Sequence, residues 1–272
     1  MTSAASSANQ SARQVANSQP VKVGARVGIV AYGITHVLIA WLALQIAFGQ
    51  TGQRADQNGA FQTIAQGTGG RVLLWILVVG FVAACLWRLE LAIWGYSYVQ
   101  DTKKQVRERV SSGGKAVLFA VLAFLAGQTA AGSGGGGGQQ QATAGVLGMA
   151  GGQFLVGIAG LAILGLGIYK MVRGWKKKFT EDMDLPSDQK ARMVAVRSGQ
   201  VGYVGRGIVT CIVGILVLFA AIQFNPGEAG GLDAALKTLA AQPFGPFLLI
   251  LVALGFLSFG VFCAFDARYH RV

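Results

Sequence analysis

The chain alternates long apolar blocks with short polar ones. Six blocks, at residues 27–48, 72–94, 116–130, 152–169, 201–224 and 244–265, consist mainly of Leu, Ile, Val, Phe, Ala and Gly. A helix rises about 1.5 Å per residue, so about 20 apolar residues cross a hydrocarbon core of about 30 Å. The block at 201–224 carries one charge, Arg206, and the block at 244–265 carries none. The block at 116–130 is short and completes a span only by borrowing residues 111–114 or the alanines that follow it. The pattern predicts six transmembrane helices.

The polar intervals differ among themselves. Leu232, Ala235, Leu236 and Leu239 recur at i, i+3, i+4 and i+7, which predicts a short helix at the membrane interface within 230–242. Phe61, Ile64 and Ala65 suggest a lesser turn of the same kind between the first two spans. The interval 132–141, with five consecutive glycines and three consecutive glutamines, has little to pack and predicts a flexible loop. Residues 96–115 read as a basic loop, and residues 179–196 as a charged linker broken by Pro186. Residues 1–22 are rich in Ser, Ala, Gln and Asn without a periodic pattern, which predicts a disordered tail. They do not read as a signal peptide, because the apolar run behind them is too long and lacks a cleavage site.

The spans repeat in pairs. Aligning the second helix of each pair on Gly70, Gly152 and Gly245 brings Leu74, Val156 and Leu249 into register, then Leu77, Ala159 and Val252. Gly80 falls on Gly255 and Phe81 on Phe256, while the first helices align Gly28 with Gly202 and Gly33 with Gly207. The repeats cover 23–99, 100–178 and 197–272, the last two separated by the linker. Each begins and ends on the same side of the membrane, so they are parallel and related by an axis along the membrane normal. The expected fold is all-α integral membrane, with six transmembrane helices as three parallel two-helix repeats in a pseudo-threefold bundle.

Charge then sets the orientation. The net charge of +12 raises nucleic acid as a partner, but the basic residues collect between alternate blocks. With both termini on one side, that side holds 18 of the 23 Lys and Arg residues; Arg54, Arg71 and Lys237 lie opposite, and Arg88 and Arg206 within spans. The bias of positive charge toward the cytoplasm places both termini there and removes the need for a nucleic-acid partner. Trp75 at one boundary and Trp94, Tyr96, Trp175 and Tyr269 at the other suit interfacial belts.

In lipid, helices associate through close backbone approach, which small residues allow. Gly24 and Gly28, Gly80 and Ala84, and Gly260 and Ala264 stand four apart, and Gly157, Gly160, Gly165 and Gly167 crowd the fourth span. These read as helix contacts. Cys85, Cys211 and Cys263 lie in apolar blocks without CxxC or Cys/His spacing and read as small buried hydrophobes.

The small-residue starts at Gly28 to Gly33 and Gly202 to Gly207, with the Pro243-Phe244-Gly245 opening of the last helix, resemble a bacterial integral membrane family of unknown function. That family, of the DUF1206 type, is built from three tandem two-helix repeats. The resemblance covers about 23–272 and implies a six-span protein of the bacterial plasma membrane. It brings no activity, ligand or catalytic residue. The middle repeat departs from the pattern, with Lys115-Ala116 where the third has Arg206-Gly207.

Ionisable residues inside spans cost from about 2.5 kcal/mol upward at the bilayer centre and so are candidate functional residues. Arg88 and Glu90 lie near the inner end of the second span, and Arg206 about two turns into the fifth. Long arginines can snorkel to the headgroups from there. The sharper reading joins Arg88, Lys115, Lys170 and Arg206 in a basic pocket at the inner leaflet, with Glu90 as partner of one arginine, that binds an anionic phospholipid headgroup or an acidic partner segment. His36, the one histidine in a span, lacks the companions that haem or metal ligation needs and reads as hydrogen-bonded to a neighbouring helix. Gln45 and Gln128 share a repeat position, as interhelical glue or the lining of a small cavity. The glycine run at 134–138 lacks the Lys-Ser/Thr of a phosphate loop.

The sequence carries no nucleophile elbow, no HExxH and no paired carboxylates on one face, so an enzyme is not expected. The expected role is a non-catalytic accessory or scaffolding subunit that meets other membrane proteins and anionic phospholipid and needs no cofactor. The alternative is a small-solute or ion transporter or channel along the pseudo-threefold axis. Polar residues at matching positions stay near the span ends, which favours the scaffold.

Overall fold

The computed structural model describes residues 19–50, 54–94, 102–133, 138–149, 151–225 and 231–269. Among the described residues are nine α-helices and no β-strand. In chain order they are α1 (Gln19–Ala47), α2 (Gln57–Gln66), α3 (Gly70–Ile93), α4 (Thr102–Ala130), α5 (Gly138–Leu147), α6 (Gly152–Trp175), α7 (Gln189–Ile222), α8 (Leu232–Ala240) and α9 (Gly245–Tyr269). Six of them, α1, α3, α4, α6, α7 and α9, are long and apolar enough to cross a membrane.

Several helices outrun the apolar blocks that announce them. α1 starts at Gln19, inside the expected tail, whose residues 1–18 lie outside the described residues. α4 starts at Thr102, so most of the expected basic loop is helix, and α7 starts at Gln189, inside the expected linker. Hydropathy marks only the membrane-embedded part of a helix, whereas Lys, Arg, Gln, Glu and Ala extend it into water at little cost. α7 opens at Asp188, whose carboxylate accepts the Ala191 N–H at 2.8 Å as an N-cap. The rest of the linker is packed. A 3₁₀ turn at Lys178–Asp182 buries Phe179, and Met183 follows it inside.

The expected glycine loop is also shorter. Residues 134–137 lie outside the described residues, and α5 begins at Gly138, where Gln, Ala and Thr restore side chains that a helix accepts. Each repeat therefore has a short helix before its second span: α2, α5 and α8. The register glycines Gly70, Gly152 and Gly245 stand where this helix hands over. A Cβ at any of them would overlap the carbonyl oxygen of Ile64, Val146 or Ala240 respectively. The preceding residues, Gly69, Gly151 and Phe244, take φ of 73°, 76° and 61° to turn the chain.

The chain forms two compact units. One comprises the described parts of residues 1–32 and 64–133, the other residues 33–63 and 134–271. In the first, a Cβ on Gly28 would overlap the Gly80 carbonyl and the Ala84 methyl, so α1 and α3 approach at bare backbone. α3 packs along α4, with Phe81 stacked on Phe119 at 6.2 Å and Tyr32 edge-on to Phe119 at 5.8 Å.

In the second unit, Gly160, Gly167 and Gly174 of α6 meet α7 at seven-residue spacing, which keeps them on one face. They lie against Leu218, against Cys211 and Gly207, and against Tyr203 and Gln200. Gly205 and Gly255 join α7 to α9. Gly33 meets Gly260 and Cys263, as Gly207 meets Gly167 and Met171; the repeat alignment puts Gly33 on Gly207 and Gly167 on Gly260, so the two contacts are equivalent. Gly157 and Gly165, also expected to mark contacts, have open space around them. A core of Ile39, Leu42, Val209, Leu236, Leu249 and Phe256 fills the unit's other end.

Candidate functional site

The sequence candidates divide between the two units. Arg88, Glu90, Lys115 and Gln128 belong to the first, and His36, Gln45, Lys170 and Arg206 to the second. Gln45 and Gln128 are each half-buried, as are Glu90 and Lys115. Arg88 does not reach outward as snorkelling would require. It is 5% exposed, and its guanidinium lies 4.3 Å from the centre of the Trp87 ring.

In the second unit the structure brings Arg206 and His36 to one aromatic ring, and Lys170 to the Arg206 turn of α7. α7 places Arg206 with its guanidinium 3.9 Å from the centre of the Phe259 ring on α9. The imidazole of His36, 1% exposed on α1, packs on the same ring at 4.9 Å and on Phe256 at 5.8 Å. Lys170 Nζ donates to Thr210 Oγ1 at 3.1 Å, and Thr210 Oγ1 donates to the Arg206 carbonyl oxygen at 2.7 Å. A desolvated cation on an aromatic face gains about 2 kcal/mol, comparable with the cost of placing it there. Arg206 is thus held by Phe259, a partner that a search for charges and histidines overlooks.

The cluster continues to the end of the unit. Tyr203 stacks on Phe179 at 5.3 Å and lies edge-on to Phe259 at 5.5 Å and to Phe262 at 5.6 Å. Gly199 makes room for this, because a Cβ there would overlap the Phe179 ring. The Asp184 N–H donates to the Tyr269 carbonyl at 2.8 Å and ties the turn to the end of α9.

Two adjoining cavities open at the same end. One, about 540 Å³, lies between Trp175, Lys177, Arg197, Val204, Ile208 and Leu251. The other, about 410 Å³, shares Lys177 and Arg197 and adds Arg192. Sequence reasoning used these cations only to orient the chain. The missed signal was on α7: Arg197, Val201, Val204 and Ile208 at i, i+4, i+7 and i+11 form one stripe, charged at its start and apolar beyond.

At the opposite end of the unit, Asp233 of α8 is 6% exposed. Its carboxylate accepts the Ala55 N–H at 2.9 Å and pairs with Lys237 at 2.7 Å.

Comparison with known proteins agrees with the repeats. The family model described as Domain of Unknown Function (DUF1206) matches at residues 27–95, 110–177 and 201–270. The "Uncharacterized protein YxxB" of Bacillus subtilis (strain 168) is 27% identical over 255 residues, covering 93% of this chain and 92% of the relative. No solved structure matches.

Proposed function

The chain belongs to the Domain of Unknown Function (DUF1206) family, as a multi-pass membrane protein of three repeats, and we propose that it is a non-catalytic accessory or scaffolding subunit. In this reading it sits in the bacterial plasma membrane with both termini in the cytoplasm, binds another membrane protein through helix faces, and binds anionic phospholipid at its basic end. The observation that carries the reading is the surface of α6. Its buried residues are Gly152, Val156, Gly160, Gly167 and Gly174, so a glycine stripe holds it to its own chain. Phe154, Leu155, Ile158, Leu161, Leu166 and Ile168 remain exposed. A span attached through so narrow a stripe offers most of its circumference to a partner helix, where van der Waals packing drives association.

Photo-crosslinking residues at Leu161 and Ile168, followed by mild-detergent purification and mass spectrometry, test the role. One membrane protein captured at fixed stoichiometry is expected. Crosslinks to lipid alone, together with solute flux in proteoliposomes, would replace the scaffold by the transport reading. A reporter fused after Val272 should be active on the cytoplasmic side, and activity only outside overturns the orientation.

A further inference from the structure

We propose that the cavity between α6, α7 and α9 is a seat for one anionic glycerophospholipid, its phosphodiester held between Lys177 and Arg197 and one acyl chain laid along α7. The proposal deepens the lipid-binding part of the reading above and is independent of the scaffold role.

Three observations converge. First, among the described residues Lys177, Arg192 and Arg197 form no ion pair, and no described acidic side chain lines either cavity. A phosphate between two such cations gains charge-assisted hydrogen bonds without displacing an existing partner. Second, the groove has the length of one leaflet. From Arg197 to Ile208 is eleven residues, about 16 Å of helix, against a half-core of about 15 Å. Its floor is the Gly205 and Gly255 pair, whose backbones approach so closely that a Cβ on Gly205 would stand 2.9 Å from the Gly255 Cα. That close approach brings α7 and α9 together beneath the furrow, which is walled by Val204, Ile208 and Leu251. Third, the headgroup end is built for an interface. Trp175, 78% exposed, stands beside Lys177 as an aromatic anchor does at headgroup level. Lys177 itself takes φ of 55°, a left-handed conformation that L side chains rarely adopt and that sets the start of its side chain at the cavity rim.

The test is native mass spectrometry of the purified full-length chain titrated with phosphatidylglycerol, with phosphatidylcholine as the zwitterionic probe. Phosphatidylglycerol should bind in preference. The double variant Lys177→Gln with Arg197→Gln should weaken it by roughly thirtyfold, the size expected for two lost cation contacts at a membrane surface. Ile208→Trp, which fills the furrow on its lipid side and leaves every charge in place, should also weaken it. Lys103→Gln with Arg109→Gln, an equal charge loss in the other unit, should leave it unchanged, and Lys177→Arg with Arg197→Lys should retain it. Equal losses from the two glutamine pairs would reduce the effect to diffuse surface attraction and overturn the site. Equal binding of the two lipids, or unchanged binding in Ile208→Trp, would overturn it as well. Should the first glutamine pair not be recovered folded, Ile208→Trp and the conservative pair decide the matter alone.

Discussion

Replacing one glycine by alanine should have opposite effects on the seam between α6 and α7 and on the open face of α6. At Gly167 the new methyl would stand 2.7 Å from the Cys211 nitrogen and 2.9 Å from the Gly207 carbonyl oxygen, against an ordinary contact of 3.4–4 Å. At Gly207 the methyl meets the Gly167 oxygen and the Met171 nitrogen, both at 2.9 Å. These are backbone atoms of the facing helix, which no rotamer change can move. The two helices must part by about 0.5 Å or more along their glycine seam, and overpacking of this kind costs about 1–3 kcal/mol. Alanine returns at most about 1 kcal/mol of helix propensity. Gly157→Ala and Gly165→Ala keep that gain without the cost, because nothing lies within 4 Å of either added methyl. The two pairs should differ by about 1–3 kcal/mol in unfolding of the purified protein in mixed micelles with rising SDS fraction, followed by helical circular dichroism. Four variants falling within about 0.5 kcal/mol of one another, or a reversed order, would refute the argument that bare backbone contact holds α6 to α7.

Three further outcomes follow from the packing. Asp233→Ala removes the acceptor of the Ala55 N–H and should cost about 1–3 kcal/mol in the same assay, whereas Lys237→Ala, at the more exposed end of the ion pair, should cost under about 1 kcal/mol; equal losses would show that the ion pair and not the backbone hydrogen bond matters. A double-mutant cycle of Arg206→Gln with Phe259→Leu should return a coupling of about 1–2 kcal/mol, and additive losses would remove the cation–π contact from the account. Phe179→Ala empties a site between Tyr203 and Phe262 and should cost about 3–5 kcal/mol, with faster tryptic cleavage after Lys176, Lys177 and Lys178; unchanged cleavage would mean that the turn is held by other contacts.

The site was legible only in part. Hydropathy found Arg206 and His36 because an ionisable group in an apolar block stands out, and Lys170 because it stands at the end of one. It could not show that Arg206 and His36 gather on Phe259, since an aromatic in a span looks like any other apolar residue until its partner is known. Arg88 was found for the same reason, and its approach to Trp87 was hidden for the same reason. Lys177 and Arg197 were visible as charges, but their sharing of one cavity depends on the turn at Lys178–Asp182 folding back, which buried Phe179 and Met183 bring about and which charge density alone reads as a linker.

By itself the sequence determined the six spans, their pairing into three repeats and the glycine register Gly70, Gly152 and Gly245. The reason is physical: a bilayer selects apolar length directly, and a repeated turn needs its glycine at the same place each time. The tertiary structure decided where the helices end beyond the membrane, which glycines of α6 face α7 and which face open space, and which cations meet an aromatic ring. Those outcomes depend on the partner helix, and an apolar span, uniform all round, carries no amphipathic stripe to announce which side that partner takes.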